Sequence, residues 1–125
     1  MKTVITTDQA PAAIGPYSQA VKANGLMFIS GQLPVNPADG SIPAAVADQA
    51  RQSLDNVFAV LTSQGLTAEA VVKTTVFLKD MNDFAAVNTV YAQYFTGDFP
   101  ARACVEVARL PKDALVEIEA VAICS

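Results

Sequence analysis

Histidine and tryptophan are absent from this chain of 125 residues, cysteine occurs twice, and lysine and arginine together number eight. Without His there is no imidazole acid/base catalysis, no Ser-His-Asp triad and no His-containing zinc site. Proton transfer falls to carboxylates, Lys, Tyr, Cys, Ser or bound water. Cys104 and Cys124 are too few for a disulfide framework or a metal motif. The basic residues are scattered singly and the net charge is -4, so neither nucleic acid nor an anionic membrane is an expected partner. No apolar run reaches the roughly 18 residues of a membrane-spanning helix. Met1-Lys2-Thr3-Val4-Ile5 lacks the apolar core of a signal peptide, and a cytoplasmic location is the expectation. There is no Gly-rich phosphate loop and no Cys-x-x-Cys, and neither metal nor cofactor is expected.

What the chain has instead is apolar surface. Hydrophobic residues make up 52% and charged residues only 16%. One domain spanning 1–125 is expected, with a modest core. Strands are expected at residues 2–6, 19–23, 26–30, 70–79, 102–109 and 115–123. Helices are expected at 43–64 and 83–95. Asn24-Gly25 marks a two-residue hairpin turn, because both positions tolerate positive φ. Val46, Ala50, Leu54, Val57, Phe58 and Leu61 form a helical stripe, with Pro43 suited to the first turn and Gly65 to the stop. Asn82 or Asp80 suits the cap of the second helix, whose inner face is Phe84, Val87, Tyr91 and Tyr94.

The order β-β-β-α-β-α-β-β points to an α+β two-layer sandwich, with two helices on one face of a mixed sheet. Val116, Ile118, Ala120 and Ala122 oppose Leu115, Val121 and Ile123, so the last strand is apolar on both faces. Leu26-Met27-Phe28-Ile29 is too. An uncovered apolar sheet face predicts a homo-oligomer.

Chemistry concentrates in residues 100–119. Alternation puts Arg102 and Cys104 on one face of their strand, and the small residues opposite suggest that this face points away from the helices. If Leu110-Pro111-Lys112-Asp113 closes a hairpin, Cys104 faces Glu117 and Arg102 faces Glu119. The planar fork of Arg102 suits a substrate carboxylate; it equally suits an internal ion pair with Glu117 or Glu119. Glu117, between apolar neighbours, suits proton exchange with water or a plain salt bridge. Cys104 reads as a packing thiol, since no base is at hand to ionise it. Ser30-Gly31 ends a strand where a hydroxyl and bare backbone meet a ligand or simply turn. Tyr17 suits a lid or a packing anchor, and Asn88 lies near the aromatic stripe of the second helix or faces solvent.

Blocks along nearly the whole chain resemble the RidA (YjgF) family of reactive enamine/imine deaminases. They include Ala10-Pro11-Ala12-Ala13-Ile14-Gly15-Pro16-Tyr17-Ser18-Gln19-Ala20, Ser30-Gly31-Gln32, and Val72-Lys73-Thr74-Thr75-Val76-Phe77. The most specific is Pro100-Ala101-Arg102-Ala103-Cys104-Val105-Glu106-Val107 with Leu110-Pro111-Lys112-Asp113 and Val116-Glu117-Ile118-Glu119. One departure is the short connection Thr96-Gly97-Asp98-Phe99. The resemblance implies a chorismate-mutase-like fold and a homotrimer with sites at its subunit interfaces. It implies hydrolysis of 2-aminoacrylate and related enamines or imines, released by pyridoxal-phosphate-dependent Ser/Thr dehydratases, to 2-keto acids and ammonia without metal or cofactor. By the same resemblance Arg102 clamps the substrate carboxylate and Glu117 handles the water and proton. The backbone at Cys104 and Gly31 holds the imine nitrogen and water, and Tyr17, Ser30 and Asn88 line the pocket. A trimer that binds 2-keto acids without turnover, and a holdase-type chaperone, are the alternatives.

Overall fold

A computed structural model describes residues 1–124. Its strands are β1 (Thr3–Ile5), β2 (Ala20–Ala23), β3 (Leu26–Gln32), β4 (Val71–Leu78), β5 (Ala101–Glu106) and β6 (Val116–Ile123). Helix α1 (Val46–Ser63) lies between β3 and β4, and α2 (Phe84–Tyr94) between β4 and β5. They form one mixed sheet in the order β1-β2-β3-β6-β4-β5, parallel only between β4 and β5.

The local signals explain most element boundaries. Asn24 and Gly25 both take positive φ (52° and 76°), so β2 and β3 close as the tight hairpin the dipeptide demands. Gly65 at φ 71° ends α1 in a Schellman arrangement: its N–H donates to the Thr62 carbonyl and the Leu66 N–H to the Leu61 carbonyl, each 3.0 Å. The helix begins at Val46, later than the Pro43 expected from the sequence. Pro43 stays in the loop because its carbonyl is held by Gln49 Nε2 at 2.8 Å, while Gln49 Oε1 takes the Leu115 N–H at 2.8 Å. Asp80 accepts from the Asn82 N–H and caps a short 3-10 turn that leads into α2.

The core lies between the helices and one sheet face. Met27, Ile29, Val76, Leu78, Val116, Ile118 and Ala122 meet Leu54, Val57 and Leu61 of α1 and Val87 of α2, all buried. Each fully buried Leu, Ile or Val contributes roughly 1.5–3 kcal/mol. The opposite face is open, and Val4, Phe28, Val105 and Ile123 are exposed on the strands.

The expected hairpin between β5 and β6 does not form. β4 lies between them, paired in parallel with β5 and antiparallel with β6. The reason is apolar content. β6 buries Val116, Ile118, Ala120 and Ala122 and takes a central position, whereas β5 carries Arg102 and Glu106, charges that an edge strand tolerates. The facing of β5 is also the reverse of the expectation. Arg102 and Cys104 point to the helical side: the guanidinium lies against α2, and Cys104 packs on the core. Ala103 and Val105, which read as inward-facing, are exposed.

Candidate functional site

The side chains singled out by sequence fall into two clusters on one protomer. At the β5 edge, Arg102 is fixed by α2. Its Nη1 donates to Asn88 Oδ1 at 2.7 Å, and its Cζ lies 4.8 Å from the Tyr91 ring centroid and 5.6 Å from that of Phe84. Phe84, Asn88 and Tyr91 reach it together because spacings of four and three residues share one helix face. With Phe99, Pro100 and Ala92, the side chains of Asn88, Tyr91 and Arg102 line a depression of about 440 Å³. Among the described residues Arg102 makes no ion pair; the pairs present are Arg51–Asp48 and Arg109–Asp113. The internal partner considered for it, Glu117 or Glu119, lies on the other face of the sheet. A guanidinium with spare N–H groups in a fixed plane can receive a carboxylate in two parallel hydrogen bonds. Burial pushes the Cys104 thiol up, against a smaller pull down from Arg102, so this sulfur is a thiol near neutrality.

The second cluster is on the open face. β3 slips its register against β6 between Ile29 and Gln32, and Ser30-Gly31 occupies that irregularity. The Glu117 carboxylate closes over Gly31 so tightly that a Cβ there would meet Glu117 Cδ at 2.9 Å. Ser30 Oγ donates to the Ser18 carbonyl at 2.6 Å, which leaves its lone pairs free and pins the loop carrying Tyr17. Tyr17, Ser18, Phe28, Ser30, Glu119 and Val121 contribute to a cavity of about 600 Å³. Across the strands Glu117 sits beside Phe77 of β4, and burial, then the neighbouring Glu119 charge, raise its carboxyl above the ordinary range.

Sequence reading therefore named both clusters but joined them wrongly. Glu117 and Arg102 occupy strands two places apart, about 10 Å at the usual strand spacing, and opposite faces. Two contributors were missed, Phe84 and Tyr91, which were assigned to the core. The signal was there in Asn88: a polar residue set into an aromatic stripe at helical spacing.

A two-layer α+β sandwich with an aromatic-backed guanidinium at one sheet edge and a half-buried carboxylate on its open face defines a class of small single-sheet proteins. A family model described as Endoribonuclease L-PSP matches residues 7–124. The chain is 58% identical to the 2-iminobutanoate/2-iminopropanoate deaminase of Escherichia coli K12, covering 98% of each, and 59% identical to a RutC family protein of Haemophilus influenzae, also covering 98% of each. A crystal structure of E. coli TdcF with bound serine superimposes with a TM-score of 0.95 at 52% identity, over 98% of this chain and 99% of that one. The chain belongs to this Endoribonuclease L-PSP family, that of the RidA (YjgF) proteins.

Proposed function

We propose that this chain hydrolyses reactive enamines and imines of the 2-aminoacrylate kind, released by pyridoxal-phosphate-dependent dehydratases, to 2-keto acids and ammonia. The observation that carries the proposal is the Arg102 guanidinium, without an ion pair among the described residues and already fixed by Asn88 and two aromatic rings. The full-length likeness to a 2-iminobutanoate/2-iminopropanoate deaminase supports the choice of reaction.

The chemistry needs little more than placement and one proton relay. Arg102 holds the substrate carboxylate and so fixes the adjacent imine carbon. Water adds to that carbon, the C=N π pair moves to nitrogen, and the water proton passes to the Glu117 carboxylate. Glu117 returns the proton to nitrogen, then carries the carbinol O–H proton to the same nitrogen, and the C–N bond breaks so that ammonia leaves as the keto group forms. A carboxyl raised toward neutrality by burial suits both halves of this exchange. Ser30, Tyr17 and the backbone at Gly31 and Cys104 bound the water and nitrogen side, while Asn88 bounds the carboxylate side.

One protomer does not make a whole site. A substrate whose carboxylate adjoins its reacting carbon does not span two strands and both faces of a sheet. An edge cluster completed by the face cluster of another copy is a heterologous contact, and such contacts close into rings. We assign the ring of three that the family resemblance implies, with the exposed Phe28, Val105 and Ile123 buried by assembly. The cytoplasm is the proposed location, in keeping with two free thiols. A net charge of -4 weighs against RNA as a partner. No helix among the described residues is long and apolar enough to cross a membrane.

The test measures 2-keto acid and ammonia from 2-aminoacrylate generated in place by a dehydratase, with semicarbazide trapping the free imine. Wild type accelerates release, and Arg102→Ala and Glu117→Ala each lose most of the acceleration. Co-assembling the two variants in equal amounts restores about a quarter of the sites, because each complete site draws its Arg and its Glu from different copies. No acceleration by assembled wild type would sink the enzyme and leave a keto-acid-binding protein. No recovery on co-assembly would place both groups in one protomer's site.

A further inference from the structure

An exposed arginine ordinarily samples many rotamers, and a fork that must be ordered by its ligand binds that ligand more weakly. Arg102 is exposed, yet its guanidinium lies over the Tyr91 ring at 4.8 Å. What fixes the ring is behind it. The Tyr91 hydroxyl and the Thr74 hydroxyl share a buried hydrogen bond of 2.8 Å, and Thr74 is 1% exposed. Thr74 is also the β4 residue directly abreast of Arg102 in the parallel register with β5. The strand beside Arg102 thus anchors the aromatic ring beneath it. Phe84, at 5.6 Å, flanks the guanidinium from farther away.

We propose that Tyr91 is a positioning residue for the carboxylate clamp: pinned to the sheet by Thr74, its π face holds the Arg102 guanidinium in the binding plane before the substrate arrives. This rests on the reading of Arg102 as the carboxylate receptor. The ring's negative face attracts the cation, while Asn88 takes one N–H in the guanidinium plane. Together they leave the other N–H groups of the fork for the ligand. A ring that served only as core filler would need its volume but not its electrons.

The test separates those two requirements. In the Thr74→Val background, which removes the hydroxyl that would lose its partner, Tyr91→Phe is the reference. Phenylalanines carrying one, two and three fluorines then replace it, with ring volume nearly constant and the π face progressively depleted. The Kd for pyruvate, the simplest 2-keto acid product, is measured by calorimetry on the assembled protein, with Tm recorded for each variant. The affinity is expected to fall stepwise with fluorine number, about two- to five-fold across the series, while Tm stays level. Arg102→Ala is measured alongside. A Thr74→Val/Tyr91→Phe reference that binds pyruvate as tightly as wild type overturns the anchoring by Thr74, and a flat fluorine series beside a large loss in Arg102→Ala overturns the positioning role and leaves the clamp standing. Full affinity in Arg102→Ala removes the clamp, and the positioning role with it.

Discussion

Gly31→Ala is the perturbation that most directly tests the open-face cluster. The added Cβ would lie 2.9 Å from Glu117 Cδ and 3.2 Å from Cγ, with the nearer carboxylate oxygen closer still. Ordinary contact begins at 3.4 Å, so Cδ must retreat by about half an ångström and the oxygen by more. The atoms that move belong to a flexible side chain, so the cost to the fold is about 1 kcal/mol, the low end for an overpacked site. Catalysis is more exacting: a reacting group displaced by about 1 Å costs on the order of 100-fold. We expect kcat for keto-acid release to fall about 10- to 100-fold, with KM for the imine moving much less. The assay is initial-rate keto-acid formation with in-place substrate generation, beside a melting curve. A kcat within two-fold of wild type, in a variant with unchanged Tm, would refute the reasoning: the Glu117 carboxylate would then not act from the place it occupies over Gly31.

Glu117 also makes a pH prediction. Its carboxyl is raised above 4.5 in the folded state, so the native chain holds this proton more tightly than the unfolded chain. The resulting penalty is absent below the ordinary carboxylate range and develops as pH rises through the raised value. The Tm advantage of Glu117→Gln over wild type should therefore grow from about pH 4 toward neutrality, and a constant difference would contradict the assigned burial. Ser53 Oγ is buried without a partner among the described residues, so Ser53→Ala should gain about 1 kcal/mol in chemical denaturation; a loss of that size would reveal an unrecognised partner. Phe28, 47% exposed on the open sheet face, should be buried by assembly, and Phe28→Asp should sediment as a monomer near 13.1 kDa. An assembly of undiminished mass would take Phe28 out of the interface.

Local patterns carried most of the fold. Asn24-Gly25 closes its hairpin because positive φ is a property of those two residues, and Gly65 stops α1 for the same reason. The faces of β6 were legible too, since Glu117 and Glu119 alternate with Val116, Ile118 and Ala120 whatever strand lies beside them. Strand β5 was read backwards. Ala103 and Val105 are the apolar members of its alternation, and residue type alone placed them inward. At an edge that preference is weak, and the rings of α2 gave Arg102 a better environment on the helical side than the open face offers.

The sequence by itself determined the elements, their order and the two-layer class, because these follow from neighbours a few positions apart. Which strand lies beside which was settled only in three dimensions. The short segment from Arg109 to Ala114 would serve a hairpin, but the apolar content of β6 sends it to the sheet centre with β4 between it and β5. That one choice separates Arg102 from Glu117. It leaves two separate clusters on one protomer, an arrangement set by the competition of whole strands for the core, which no local spacing records.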